Sequence, residues 1–390
     1  MKCATLHTHE IDNPDLALSE ITKQLSDNLS LAKNTLGIMI CHADFIDSGV
    51  VKHLCQNLPF EIVGMTTSSL LIKDDIGMGM LSIFIITADD VSFSTVYTEI
   101  NHQNPDVCIT DAYQKVISKI NQEPKLALLF THFDHRLTGD VFVNTLSTLN
   151  PKLPVFGGTA MDDSPTFDRL YTIHNREYSK EKTVMVLCFG NINPRFIIGS
   201  LPANNQLHSG EITKSKGNLV YEIDNQNVMD YFDNIGMGKN NIEGTDTLFF
   251  TPFLIHQKKR EDYDNIPVLR GRTGFNEDGA AFFHGLIDEG SSFTIIGNYA
   301  DDVISVAKKT INDINNTPCI NGLIIFSCIA RQMMVMSQDP LKELLTIKEN
   351  INPEIPFFTS YVNGEFCPTS VRNNIPTNRF HNFTMVAMVL

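Results

Sequence analysis

The side chains best suited to chemistry cluster around three strand-like segments of this 390-residue chain. Gly157-Gly158-Thr159 closes one apolar run and is followed by Asp162 and Asp163. Bare glycine amides there could approach a ligand closely, since glycine tolerates dihedrals that other residues avoid; the same pair could also do no more than make a turn. Cys328 and Arg331 follow a second run, where a guanidinium could clamp a carboxylate through two parallel hydrogen bonds. Glu365 follows a third. An Arg and a Glu in one cleft would suit a zwitterion such as an amino acid, and they could equally pair with each other. Beside a histidine, Cys328 could imitate a cysteine nucleophile, which keeps an enzyme of unrecognised type as the alternative reading. The sequence holds no GxSxG elbow, P-loop, HExxH or dinucleotide fingerprint, so the favoured expectation is a binding protein without catalysis.

These segments recur in a pattern of apolar strand, small or polar turn, helical stretch, Pro-led strand and further strand. The first copy has Gly37–His42, Pro59–Thr66 and Leu81–Ile86; the second has Leu126–His132, Pro154–Thr159 and Val184–Phe189; the third has Gly322–Cys328, Pro356–Tyr361 and Phe383–Leu390. Continuous apolar runs of this length predict strands buried on both faces, and so an α/β architecture of layered mixed sheets covered by helices. Helices are expected over Pro14–Lys33, Asp111–Asn121 and Ala300–Asn315, the last with Val303, Val306, Ala307, Thr310, Ile311 and Ile314 on one face. Asn, Pro, Gly and Ser enrich 191–217, which predicts two lobes, 1–200 and 201–390. In the second, short strands over 247–253, 268–272, 281–287 and 291–296 alternate with turns at 276–279 and 288–290, as hairpins do.

Composition narrows the partners. Thirty basic against 45 acidic residues give a net charge of −15, which argues against nucleic acid and anionic membranes. No apolar run reaches the ~20 residues of a bilayer span. The first twelve residues carry two histidines and two acids rather than a leader's apolar stretch, so a cytoplasmic location is expected. Eight scattered cysteines without a CxxC pair predict reduced thiols.

Several segments, in order, resemble the FIST family, a bacterial sensory module with N-terminal and C-terminal parts. Ile62–Thr67 and Val155–Asp162 resemble its first part; Gly210–Asn218, Val220–Asp224, Leu269-Arg-Gly-Arg272, Phe326–Arg331, Asn363-Gly-Glu365 and Phe380-His-Asn-Phe-Thr384 resemble its second. Ser68, Ser69 and Leu70 depart from the small and acidic residues usual after the first Gly turn. The resemblance implies a sensor of small ligands, amino acids among them, that acts on a separate partner such as a histidine kinase. It also implies that a free-standing chain of this form could hold haem b and sense nitric oxide, and it leaves a homodimer open. A haem iron needs a histidine at an apolar pocket. His42, His132, His256, His284 and His381 adjoin hydrophobic strands, and His381 is preferred because it lies in a matching motif. The expected ligand set is therefore Gly157, Gly158, Thr159, Cys328, Arg331, Glu365 and His381, the last also as metal ligand.

Overall fold

The computed structural model describes residues 1–134, 136–164, 167–238, 251–257, 266–276 and 278–390. The three sequence repeats fold as three like units. In the first, Asn34–Cys41 pairs parallel with Glu61–Thr66 and antiparallel with Leu81–Ala88. In the second, Leu126–Thr131 pairs parallel with Val155–Thr159 and antiparallel with Lys182–Gly190. In the third, Leu323–Cys328 pairs parallel with Phe357–Val362 and antiparallel with Thr384–Val389. Each unit anchors one six-stranded mixed sheet.

The strands read as unbroken apolar runs because both of their faces are covered. One face of each sheet meets the other two in a shared core, with Ile38, Val63 and Phe84 from the first, Leu128, Phe156 and Val186 from the second, and Ile324, Phe326 and Val386 from the third. Phe156 and Phe326 stack across it at 5.5 Å between ring centroids. Helices cover each outer face. They contribute Ile21 and Leu54 on the first sheet, Val116 and Leu146 on the second, and Ile311 and Ile347 on the third. The helix Ala300–Asn315 has the expected bounds, with Val303, Ala307, Thr310, Ile311 and Ile314 buried, whereas Val306 is only half-buried. The first two helices start at prolines and run Pro14–Asn28 and Pro105–Ile117.

A fourth sheet, antiparallel throughout, spans residues 206–296 and hangs from this frame. Its strands Phe253–His256, Ala281–Phe283 and Ser292–Ile296 fall on the expected ones, whereas the strand expected over 268–272 is two, Val268–Arg270 and Arg272–Phe275, paired to different neighbours on either side of Gly271; 247–250 and Glu277 lie outside the described residues. Strand pairing crosses residue 200. Leu70–Ile72 pairs with Phe357–Val362, and Glu365–Arg372 pairs with Val155–Thr159.

Candidate functional site

A cavity of about 360 Å³ opens where the fourth sheet meets the three-unit frame. The frame supplies residues that follow the C-terminal ends of parallel strand pairs: Phe133 and Met161 from the second unit, Cys328, Ala330 and Asn363 from the third. Such strand ends are where α/β proteins gather ligands, because the chain must leave the sheet there and its loops diverge. The fourth sheet supplies Arg272, Thr273, Phe275, Phe282 and His284, and the turn after Ile375–His381 supplies Asn382 and Phe383. Five phenylalanines make the wall mostly apolar. Phe167 and Phe383 take positive φ, at 50° and 59°, which is rare for a bulky residue, and both line the cavity.

His284 is the titratable group at the centre. Its ring stacks on Phe133 at 5.2 Å, and Nε2 lies 2.9 Å from the Asn363 carbonyl oxygen. A carbonyl only accepts, so Nε2 carries the proton and Nδ1 the lone pair. Burial lowers the ring pKa to about 4; the Asn363 bond opposes this and Arg270 adds to it. The imidazole is therefore neutral at physiological pH. The Arg272 guanidinium lies over Phe232 and Phe275, at 4.3 and 4.6 Å, and Nη2 donates to the Met237 carbonyl at 2.9 Å. A smaller pocket of about 20 Å³, room for a single water, adjoins the cavity and shares Phe133, Thr273 and His284 with it.

Five of the seven expected ligand residues do come together, but within the second sheet. Gly158 pairs with Glu365 and Glu365 with His381 in one lateral row, with Gly157 and Thr159 flanking it. The glycines serve packing. A Cβ on Gly157, at φ 152°, would stand 1.9 Å from the Leu129 carbonyl oxygen, and one on Gly158 would meet Val362 at 2.9 Å. Thr159 lines the small pocket, its hydroxyl 2.9 Å from that of Thr131. Glu365 is fully buried, with Thr384 donating to Oε2 at 2.7 Å, and burial holds its carboxyl well above the usual range. Of the seven, Cys328 alone is on the main cavity wall. Burial, then the neighbouring Glu365, push its thiol well above its ordinary value, which favours the thiol over the thiolate.

Two expectations need correction. Arg331 is not on the cavity wall: its Nη2 and Nε donate to Glu343 Oε1 at 2.6 and 3.0 Å, and both side chains are completely buried. An amino acid therefore loses the Arg331 and Glu365 clamp. His381 does not face the cavity either; its Nε2 is 3.0 Å from the Cys367 carbonyl oxygen in a ring 5% exposed. His42 is held between Asp44 and Asp163, and His256 is exposed. His132 touches the small pocket only. The described residues contain no group of three or more His, Cys, Asp or Glu side chains able to hold a metal ion, and no helix among them is long and apolar enough to cross a membrane.

What was missed stood beside what was chosen. Asn363 precedes Glu365 by two residues, Asn382 follows His381, and Ala330 precedes Arg331, each within a segment already singled out. A family model for the FIST N domain matches residues 35–226, and one for the FIST C domain matches residues 230–368. No curated protein matches the chain. Both matched segments line the cavity, the first through Phe133, Met161 and Phe167 and the second through residues 271–275, 282, 284, 328–330 and 363.

Proposed function

The chain belongs to the FIST family of small-ligand-binding sensory domains, and from that premise we propose that the cavity between the fourth sheet and the three-unit frame is its sensory site. The observation that carries this reading is the joint lining. A ligand there touches Phe133 and Cys328 of the frame and Phe275 and His284 of the fourth sheet together. Its binding energy then favours one placement of that sheet over others, and a separate partner, such as a histidine kinase in a bacterial cytoplasm, reads the shift in population. Native mass spectrometry of the freshly purified protein tests this. The expected result is a retained small molecule that Ala330→Trp, which fills the cavity, displaces; a molecule retained equally by the variant would refute the site.

A haem at this cavity is the second reading, and His284 favours it. A neutral imidazole whose Nε2 is fixed by a carbonyl keeps Nδ1 for a metal, and the aromatic wall suits a porphyrin. When bound, the group would supply an iron able to take up nitric oxide. Absorbance after haem addition should show a Soret band that His284→Ala alters and His381→Ala leaves alone. No band, or a band insensitive to His284, removes this reading.

A further inference from the structure

The polar groups in the cavity wall are unevenly matched, and the mismatch describes the missing partner. His284 Nδ1 offers a lone pair, and no described residue donates to it, because the ring proton is spent on Asn363. Asn382 is 2% exposed; its Nδ2 donates to the His381 carbonyl at 2.9 Å, which orients Oδ1 as an acceptor, and Oδ1 is buried without a hydrogen-bond partner among the described residues. A buried acceptor left unmade costs free energy that a donor would recover. Charge is constrained as well. No acidic side chain among the described residues lines the cavity, and the fixed cation of Arg272 opposes a second positive charge. A carboxylate would meet the lone pairs of His284 and Asn382. Flat, apolar contact is offered by Phe133, Phe275 and Phe383.

Resting on the cavity reading above, we infer that the ligand is an uncharged, planar, aromatic molecule bearing N–H or O–H donors, which His284 Nδ1 and Asn382 Oδ1 read. The positive φ of Phe167 and Phe383 fits this assignment, since such backbone strain in bulky residues clusters at ligand sites.

Calorimetric titration of the full chain with four probes tests the inference. Indole carries the donor, benzofuran replaces it with an acceptor, indole-3-carboxylate adds an anion and tryptamine a cation. Indole, with its single N–H, should bind about tenfold more tightly than the other three, the worth of one buried hydrogen bond. Whichever of Asn382 and His284 accepts that N–H, its variant, Asn382→Leu or His284→Phe, should shrink the gap between indole and benzofuran, and a gap that survives in both variants overturns the assignment. Benzofuran matching indole, or either charged probe exceeding it, overturns the ligand class while leaving the cavity reading standing. Binding of none of the probes, or binding that Ala330→Trp does not affect, defeats the cavity reading and this inference with it.

Discussion

Arg331 and Glu343 form a completely buried ion pair, with Nη2 to Oε1 at 2.6 Å. The carboxylate is finished by Tyr361 and Ser327, which donate to Oε2 at 3.0 and 3.1 Å. Two helices, Ile329–Val335 and Lys342–Asn350, are thereby tied to two strands of the third sheet. Removing one partner strands the other charge in the interior, at a cost of about 3–5 kcal/mol. Arg331→Ala should lower the urea midpoint accordingly and leave indole affinity in the folded protein within about twofold. A large loss of affinity with unchanged stability would return Arg331 to the ligand site.

A second buried pair joins the fourth sheet to the frame. Arg270 Nη2 donates to Asp140 Oδ1 at 2.7 Å and Nη1 to the Phe380 carbonyl at 3.0 Å, while Asp140 Oδ2 accepts from the Leu286 amide at 2.8 Å. Asp140→Ala should therefore loosen the sheet preferentially. Hydrogen exchange ought to speed up across 268–296 more than in the core strands 323–328, and a uniform change would contradict a clamp between the two.

His284 makes stability depend on pH in a stated direction. Its folded pKa of about 4 lies below the ordinary 6.5, so the unfolded chain binds the extra proton between those values. Stability is full above about pH 6.5 and falls as pH drops toward 4, by at most about 3 kcal/mol. In urea titrations from pH 7 to 4.5, His284→Phe should be flatter than the parent. Parallel curves would mean that the imidazole is not held neutral by the fold.

Gly157 and Gly158 should separate under substitution. An added Cβ at Gly157 meets backbone, the Leu129 carbonyl at 1.9 Å, whereas at Gly158 it meets the Val362 side chain, which can give. Gly157→Ala should lower the melting temperature clearly more than Gly158→Ala. The opposite order would show that the close approach of the two parallel strands is not what demands glycine.

The frame was readable from sequence because its signal is long and repeated: each apolar run of six to eight residues had two counterparts with the same neighbours. The cavity was not, for a geometric reason. Along a strand or a tight turn, adjacent side chains leave in different directions, so a motif can be located correctly while the member that reaches the cavity is misjudged. Glu365 points into the sheet stack while Asn363 meets the cavity; His381 bonds back to Cys367 while Asn382 and Phe383 turn outward to the wall. The charge of Arg331 is plain in the sequence, but a partner twelve positions away cannot be told there from a ligand, and Glu343 is that partner. The boundary expected near 200 followed composition, whereas strand exchange between distant segments leaves no compositional mark.

That exchange has a consequence for how the protein is made. Leu70–Ile72 can pair with Phe357–Val362 only after nearly three hundred further residues have been added, and Thr384–Val389 sits between Arg195–Ser200 and Leu323–Cys328 rather than at a sheet edge. A nascent chain emerging from the ribosome therefore carries two units whose apolar faces have only each other to pack against until the third is synthesised. The common core is complete only once Thr384–Val389 is in place, so its closure is among the last events of folding.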